Sequence, residues 1–180
     1  LREARLPVAR WDGAGAVAAS LLSRERVVQY KSQELPPAVD RASAHAYFGG
    51  RIESLRYGHL HAPVYVADVR SAYPASATQL PCLACGKWEF GYKLAERDSF
   101  AVCSTEWSLP GETLYPFPWR AERTGAVYFP PAGKGWYWAP EVHAARERFG
   151  TKSIRLHGVW KYYTECDHKP FDFIEPLYMQ

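Results

Sequence analysis

The chain has 180 residues, of which 47% are hydrophobic and 23% are charged. Both values are close to those of soluble globular domains, and the length suits about one domain, which argues against wholesale disorder. No apolar run is long enough to span a bilayer, and no leader segment opens the sequence. The net charge of +3 permits contact with nucleic acid but does not require it. Because the sequence starts at Leu1 and not at a methionine, we expect a piece of a longer protein.

The first third of the chain is predicted to be helical. Asp12 can cap a helix over residues 13–23, and Pro36 and Pro37 then interrupt the chain before a second short helix over residues 38–46. Apolar residues at helical spacing predict the inner face of the first helix. That face consists of Ala16, Val17, Ser20 and Leu21.

The character of the sequence changes at residue 47. Residues 47–51 read YFGGR, and their paired glycines mark backbone that must bend or must approach something closely. Residues 63–69 read PVYVADV and are apolar on both faces, which predicts a central, buried strand. Asp68 is the polar exception in this strand. A buried carboxylate is costly unless a metal or another cation compensates it, although an Asp here can also cap the turn that follows.

The second half of the chain is predicted to mix strands and helices. Residues 100–104 are the strongest strand prediction between residues 90 and 128. A helix is predicted to begin at Pro140 and to end at Gly150, and a strand with Ile154, Leu156 and Trp160 on one face follows. The apolar segment 171–177 is predicted to begin another helix, which Pro176 would cut short. Helices around a mostly antiparallel sheet give an α+β fold class.

Two motifs in this order resemble family B DNA polymerases. Asp68-x-x-Ser71-x-Tyr73-Pro74 resembles the first palm motif of that family. Upstream, Tyr47-x-Gly49-Gly50 resembles the segment between exonuclease and polymerase parts in the protein-primed branch of phages and organellar plasmids. The resemblance implies that residues 1–46 are a helical connecting segment on the exonuclease side. It implies that residues 47–180 are the N-terminal part of a palm domain, up to the fingers.

The resemblance also implies a reaction, which is templated nucleotidyl transfer by a DNA-directed DNA polymerase with two Mg²⁺ ions. Asp68 would be the catalytic carboxylate and would bridge the metals, while the backbone carbonyl of Val69 would ligate the metal on the nucleotide side. Tyr73 would lie under the sugar and exclude a 2′-hydroxyl group, although the same residue could also be a plain core tyrosine. The residues implied to contact the incoming deoxynucleoside triphosphate are Arg70, Ser71, Ala72 and Tyr73.

Contacts with the template strand are implied for the upstream motif. Tyr47 would stack or bind a phosphate, Gly49 and Gly50 would let the backbone approach the sugar-phosphate chain, and Arg51 would pair with phosphate. The alternative is an ordinary turn with an exposed arginine. Primer-template DNA is thus the implied partner, and a terminal protein primer is a further candidate. No membrane contact is expected, and the implied location is the cytoplasm of a bacterial or phage-infected cell.

The polymerase motifs are incomplete in this chain. The fingers motif with its Lys and Asn-Ser-x-Tyr-Gly and the second palm motif Asp-Thr-Asp are absent from the sequence. The two-metal site would therefore be completed by residues outside this chain, and the piece alone is expected to be inactive. The alternative function is a non-catalytic nucleic-acid-binding module with a polymerase-like palm.

Cysteines and clustered aromatics complete the candidate residues. Cys82 and Cys85 have a spacing that can bind zinc, but a structural zinc site needs four ligands, and Cys103 and Cys166 lie far along the chain. We therefore expect reduced cysteines in a loop, an intracellular compartment and no metal; a small zinc-binding interaction domain is a weaker alternative. The aromatic residues 136–138 are predicted to belong to the core.

Overall fold

A computed structural model of the chain describes residues 14–24, 35–51, 53, 58–59, 61–69, 72–111 and 114–178. The helices are α1 (Ala14–Arg24), α2 (Pro37–His45), α3 (Ala72–Ala77), α4 (Ala139–Phe149) and α5 (Glu175–Tyr178), with short 3₁₀ turns at Thr151–Ser153 and Asp172–Ile174. The strands are β1 (Gly86–Gly91), β2 (Ala101–Ser108), β3 (Trp119–Arg120), β4 (Val127–Tyr128), β5 (Ala132–Trp138) and β6 (Ile154–Thr164).

The predicted helices of the first third are confirmed. Helix α1 covers the first predicted helix to within a residue at each end, and helix α2 covers the second. The proline at position 37 occupies the first turn of α2, where its missing N–H leaves no intrahelical hydrogen bond unmade. The predicted cap, Asp12, lies outside the described residues.

A four-stranded sheet with the strand order β1-β6-β2-β5 forms the centre of the fold. Strand β2 pairs antiparallel with β5 on one side and with β6 on the other. A separate two-stranded hairpin consists of β3 and β4. Helices flank a mostly antiparallel sheet, so the predicted α+β class is confirmed.

Helices α2 and α4 pack on the sheet through different sets of strand residues. Successive side chains of a strand point to opposite faces. On β2, Cys103 and Trp107 pack in one core cluster with Val142 of α4, whereas Val102 packs with Ala42 of α2. Strand β2 is therefore buried from both faces, which agrees with its run of small and apolar residues.

Helix α4 begins and ends where the sequence predicts. The side chain of Glu141 accepts a hydrogen bond from the backbone N–H of Trp138 at 3.0 Å, which satisfies a donor at the start of the helix. At the other end Gly150 has a φ of +82°, a conformation that favours glycine, and its N–H donates to the Arg146 carbonyl.

The chain divides into two compact units. One consists of Leu1–Lys31, Val64–Cys85 and Thr164–Gln180, and the other consists of Ser32–Pro63 and Gly86–Tyr163. The described part of the first unit carries α1, α3 and α5, while the second carries α2, α4 and most of the sheet. The predicted boundary between a connecting segment (residues 1–46) and a palm part (residues 47–180) assigns roles within a polymerase. It stays a prediction.

The buried strand predicted at residues 63–69 is wrong. This segment has no regular secondary structure, and all its residues are exposed; Tyr65 and Val66 are 90% and 94% exposed. β-Branched and aromatic residues favour a strand because they fit a pleated surface, but they need a partner strand to pair with. The described strands pair with one another, and none of them pairs with this segment.

Candidate nucleic-acid interface

The Tyr47-x-Gly49-Gly50 segment forms a loop directly after helix α2. Ala46 is buried against the sheet at the end of that helix, so the loop starts from a fixed point. Gly49 has a φ of +73°, in the left-handed region where a side chain is strained. A Cβ added at Gly49 or at Gly50 would meet no atom within 4 Å. The bend predicted from the paired glycines is confirmed at Gly49, and both glycines leave open space for close approach.

An open cleft of about 520 Å³ lies beside this loop. Tyr47 and Phe48, the end of α2, the β3–β4 hairpin and strand β5 all contribute to its lining. Tyr47 is 74% exposed, whereas Phe48 stacks on the buried ring of Tyr137, with centroids 6.0 Å apart. Phe48 thus anchors the loop on the core, and Tyr47 presents its ring to solvent at the cleft.

The cleft combines aromatic rings with positive charge. Its charged and aromatic lining residues are His45, Tyr47, Phe48, Trp119, Arg120, Glu122, Lys134, Trp136 and Tyr137. Arg120 lies over the ring of Phe48 at 5.4 Å and donates a hydrogen bond to the Gly125 carbonyl oxygen at 3.3 Å. Aromatic rings that can stack on bases, beside cations that can bind phosphates, are typical of surfaces that bind single-stranded nucleic acid.

Strand register explains why Lys134 belongs to this cleft. Lys134 and Trp136 are two positions apart on β5, so their side chains leave the same face of the sheet. Glu106 lies opposite Lys134 in the β2–β5 register and balances part of its charge. A hydrogen bond with His157, at 2.5 Å, lowers the pKa of Glu106, so this carboxyl group stays ionised to a lower pH than usual.

Sequence reasoning missed four cleft residues outside the loop that can stack on bases or attract phosphates. They are Trp119, Arg120, Lys134 and Trp136. Trp136 was assigned to the core, and it does pack against the α2 cluster, but it also borders the cleft. Tyr137, its neighbour, is fully buried as predicted. The alternation along β5 was the signal that could have placed Trp136 and Lys134 on a common face.

The guanidinium group of Arg51 is engaged in contacts within the chain. It pairs with Glu53, donates to the Tyr115 carbonyl oxygen at 2.8 Å, and stacks over the ring of Phe129 at 3.9 Å. These contacts hold the end of the loop on the rest of the unit. The predicted pairing of Arg51 with phosphate would compete with them.

The segment that resembles the first palm motif lies in the other unit. Asp68 and Val69 belong to the exposed segment without regular structure, and Arg70 and Ser71 lie outside the described residues. Ala72 is exposed and begins helix α3. Tyr73 is 84% exposed in that helix, so the alternative of a core tyrosine is wrong.

The described residues around Asp68 do not form a two-metal site. Such a site needs several oxygen ligands from carboxylates, and a single carboxylate supplies too few. Among the described residues, three or more potential metal ligands of the His, Cys, Asp or Glu type come together only in a set of cysteines, and Asp68 is not part of it. Asp68 alone does not complete the implied Mg²⁺ pair, which the sequence expects to be completed by residues outside this chain, and no catalytic step is assigned to it.

The prediction of reduced cysteines in a loop is wrong for Cys85. Cys85 forms a disulfide with Cys166, with the two Cα atoms 6.4 Å apart, although 81 positions separate them in sequence. Cys103 is buried in β2, and burial raises the pKa of its thiol to about 12. Spacing along the sequence does not predict this pairing, because it depends on tertiary structure. The chain after β6 returns to Cys85, where the Glu165 N–H donates to the Cys85 carbonyl oxygen.

Comparisons with known proteins leave the family open. No family model matches the chain, and neither a curated protein nor a solved structure matches it. In the described parts of the chain, every helix is too short or too polar to cross a bilayer.

Proposed function

We propose that this chain is part of a DNA-directed DNA polymerase of the family B type, and that its cleft binds the template strand. The observation that carries the proposal is the position of Tyr47, the first residue of the upstream motif. Its exposed ring borders a cleft that also holds Arg120, Lys134 and Trp119. The order of the two motifs in the sequence supports the polymerase part.

Template binding at this cleft would be independent of base sequence. Every base has a face that can stack on Tyr47 or Trp119, and every nucleotide carries a phosphate that Arg120 or Lys134 can attract. The open backbone at Gly50 would allow a sugar-phosphate chain to approach closely. A replicative enzyme needs this kind of contact, because it must copy any sequence.

Binding of a fluorescent single-stranded oligonucleotide, measured by anisotropy, tests the cleft. We expect Tyr47→Ala to weaken binding about 5- to 150-fold, since stacking of a base on an aromatic ring contributes about 1–3 kcal/mol. Tyr92→Ala is a matched control, because Tyr92 is 71% exposed in the same unit and lies outside the cleft lining. Equal loss in both variants, or loss in neither, would contradict the proposed position of the template.

A non-catalytic nucleic-acid-binding module is the second candidate. It is favoured by the exposure of Asp68 in a segment without regular structure, because no described neighbour completes a metal site there. The two functions differ in nucleotide binding. A polymerase piece should bind a deoxynucleoside triphosphate more tightly with Mg²⁺, and Asp68→Ala should abolish that increase while Asp172→Ala keeps it. A module would bind oligonucleotides but show no Mg²⁺-dependent binding of the nucleotide by calorimetry.

A further inference from the structure

Three cysteine sulfurs meet in the unit that carries the first palm motif. The Sγ atoms of Cys82, Cys85 and Cys166 all lie within 4.8 Å of one another. Cys82 is buried, with 5% of its surface exposed, and the other two are partly buried. A disulfide uses two cysteines, and it occupies Cys85 and Cys166 here. The third sulfur is therefore not needed for the cross-link.

We propose that the reduced form of this cluster binds one Zn²⁺ ion through three thiolates. Zinc bonds to cysteine sulfur are about 2.3 Å long, so two sulfurs in a tetrahedral site are about 3.8 Å apart. The cluster approaches this spacing, and small shifts would complete it once the disulfide opens. A water molecule or another ligand from solution takes the fourth position.

The surroundings of the sulfurs suit a metal ion. Two residues separate Cys82 from Cys85 in a bend, which is the spacing of the first two ligands in many zinc sites. A buried thiolate is costly without an adjacent cation, and a divalent metal supplies that cation. The hydroxyl oxygen of Thr164 lies 3.3 Å from the Cys85 sulfur and 3.6 Å from the Cys166 sulfur. Its one proton is donated to the Cys166 carbonyl oxygen at 3.0 Å here, and rotation of the hydroxyl group would redirect that proton to a metal-bound thiolate.

Backbone contacts bring the two cysteine segments together before any metal binds. The N–H of Glu165 donates to the Cys85 carbonyl oxygen at 2.9 Å. Gly86 fits closely beside the end of β6, because a Cβ there would overlap the Tyr163 carbonyl oxygen and the Tyr162 ring. The position of Cys85 beside residues 164–166 therefore depends on contacts other than the disulfide.

Opening the Cys85–Cys166 disulfide is a two-electron reduction. A phosphine reductant supplies two electrons and leaves as its oxide, water provides the oxygen and two protons, and the Cys85–Cys166 bond becomes two thiols. Zn²⁺ then displaces the protons of the three thiols as it binds, so binding tightens as the pH rises. The oxidised cluster retains one thiol, that of Cys82, and should not hold zinc.

Metal titration of the full chain tests this site. After reduction by a phosphine without oxygen, Zn²⁺ should compete with a chromophoric chelator and bind at one equivalent. Co²⁺ as a probe should give sulfur-to-metal charge-transfer absorption in the ultraviolet. Cys82→Ser and Cys166→Ser should each weaken binding at least 10-fold. Cys103→Ala, which removes a cysteine outside the cluster, should bind as the wild-type chain does.

Three results would contradict the proposed zinc site. The reduced chain would bind less than one equivalent of Zn²⁺, the Cys82→Ser variant would bind as tightly as the reduced wild-type chain, or the cobalt complex would lack sulfur-to-metal absorption. Equal binding by the oxidised wild-type chain would do the same, and this comparison needs no substitution, so a folding defect in a variant cannot obscure the answer. The proposal does not depend on nucleic-acid binding.

Discussion

At the residue scale, the two glycines of the upstream motif have different physical roles although they are neighbours. Gly49 needs a left-handed backbone conformation, with a φ of +73°, whereas the φ of Gly50 lies outside that region. Neither position is crowded within the chain. Gly49 therefore supports the turn, and Gly50 keeps space open at the surface.

The two positions should respond differently to alanine. Gly49→Ala should lower the free energy of unfolding by about 1–2 kcal/mol, because an L side chain is strained in the left-handed region. Gly50→Ala should leave stability within about 0.5 kcal/mol of wild type but weaken oligonucleotide binding, since its methyl group would occupy the space for the sugar-phosphate chain. Denaturant unfolding and anisotropy measure the two effects. Full binding by Gly50→Ala would remove this glycine from the interface.

Asp98 and Lys161 form an ion pair that is well shielded from solvent. They are 3.0 Å apart, and their side chains are 4% and 18% exposed. Burial works against ionisation of Asp98, but hydrogen bonds from the Ala95 N–H and from Lys161 outweigh it and lower the pKa of Asp98. The hydrogen bond with Asp98 is the main cause of the raised pKa of Lys161.

This pair should make a pH-dependent contribution to stability. A lowered carboxyl pKa stabilises the fold above the ordinary value of about 3.9, and the contribution is lost as the pH falls through the folded pKa. Because the pKa of Lys161 is raised in the folded state, its contribution to stability is lost only as the pH rises above about 10.4, the ordinary lysine value. Lys161→Met should therefore lower the free energy of unfolding by about 1–3 kcal/mol at pH 7, and the difference from wild type should shrink below about pH 4.

Lys87→Met is the matched control for that experiment. Lys87 pairs with Glu89 at 3.1 Å, but both side chains are more than half exposed, and such surface pairs contribute about 0–1 kcal/mol. Urea unfolding across pH 3–8 provides the comparison. An effect of Lys161→Met that stays constant down to pH 3 would show that lost packing, and not the ion pair, causes it.

At the scale of elements, the sequence predicts helices better than it predicts the pairing of strands. Helix α4 carries its own boundaries, with Glu141 in the first turn and Gly150 after the last. The segment 63–69 has strong β propensity but no partner strand among the described elements. Pairing is a long-range property, and propensity alone does not contain it.

Tyr137 connects strand β5 to the rest of its unit. Its hydroxyl group donates to the Pro118 carbonyl oxygen at 2.6 Å in a fully buried position, and burial raises the pKa of the hydroxyl. Tyr137→Phe should cost about 1–3 kcal/mol of stability, because it leaves a buried carbonyl without its donor. Tyr128→Phe, at a residue 54% exposed in β4, should cost less than about 0.5 kcal/mol. Thermal unfolding of both variants would show equal stability if the buried hydrogen bond contributes nothing.

At the scale of the whole molecule, the two motifs that suggested a polymerase lie in different compact units. Tyr47 and the cleft belong to one unit, and Asp68 belongs to the other. The sequence could identify the loop at Gly49 because a glycine pair is a local signal. It could not identify Arg120 or Lys134, which come from a hairpin and a strand that the fold brings to the loop. The convergence of Cys82, Cys85 and Cys166 was hidden for the same reason.

The salt dependence of oligonucleotide binding tests the central claim most directly. If Arg120 and Lys134 contact phosphates, the plot of log affinity against log salt should be steep for the wild-type chain. Its slope should fall in magnitude by about 1.4 in the Arg120→Ala/Lys134→Ala double variant, which is about 0.7 for each phosphate contact on a single strand. Lys152→Ala, at an exposed lysine outside the cleft lining, should keep the wild-type slope. Equal slopes in all three proteins would contradict a nucleic-acid interface at this cleft.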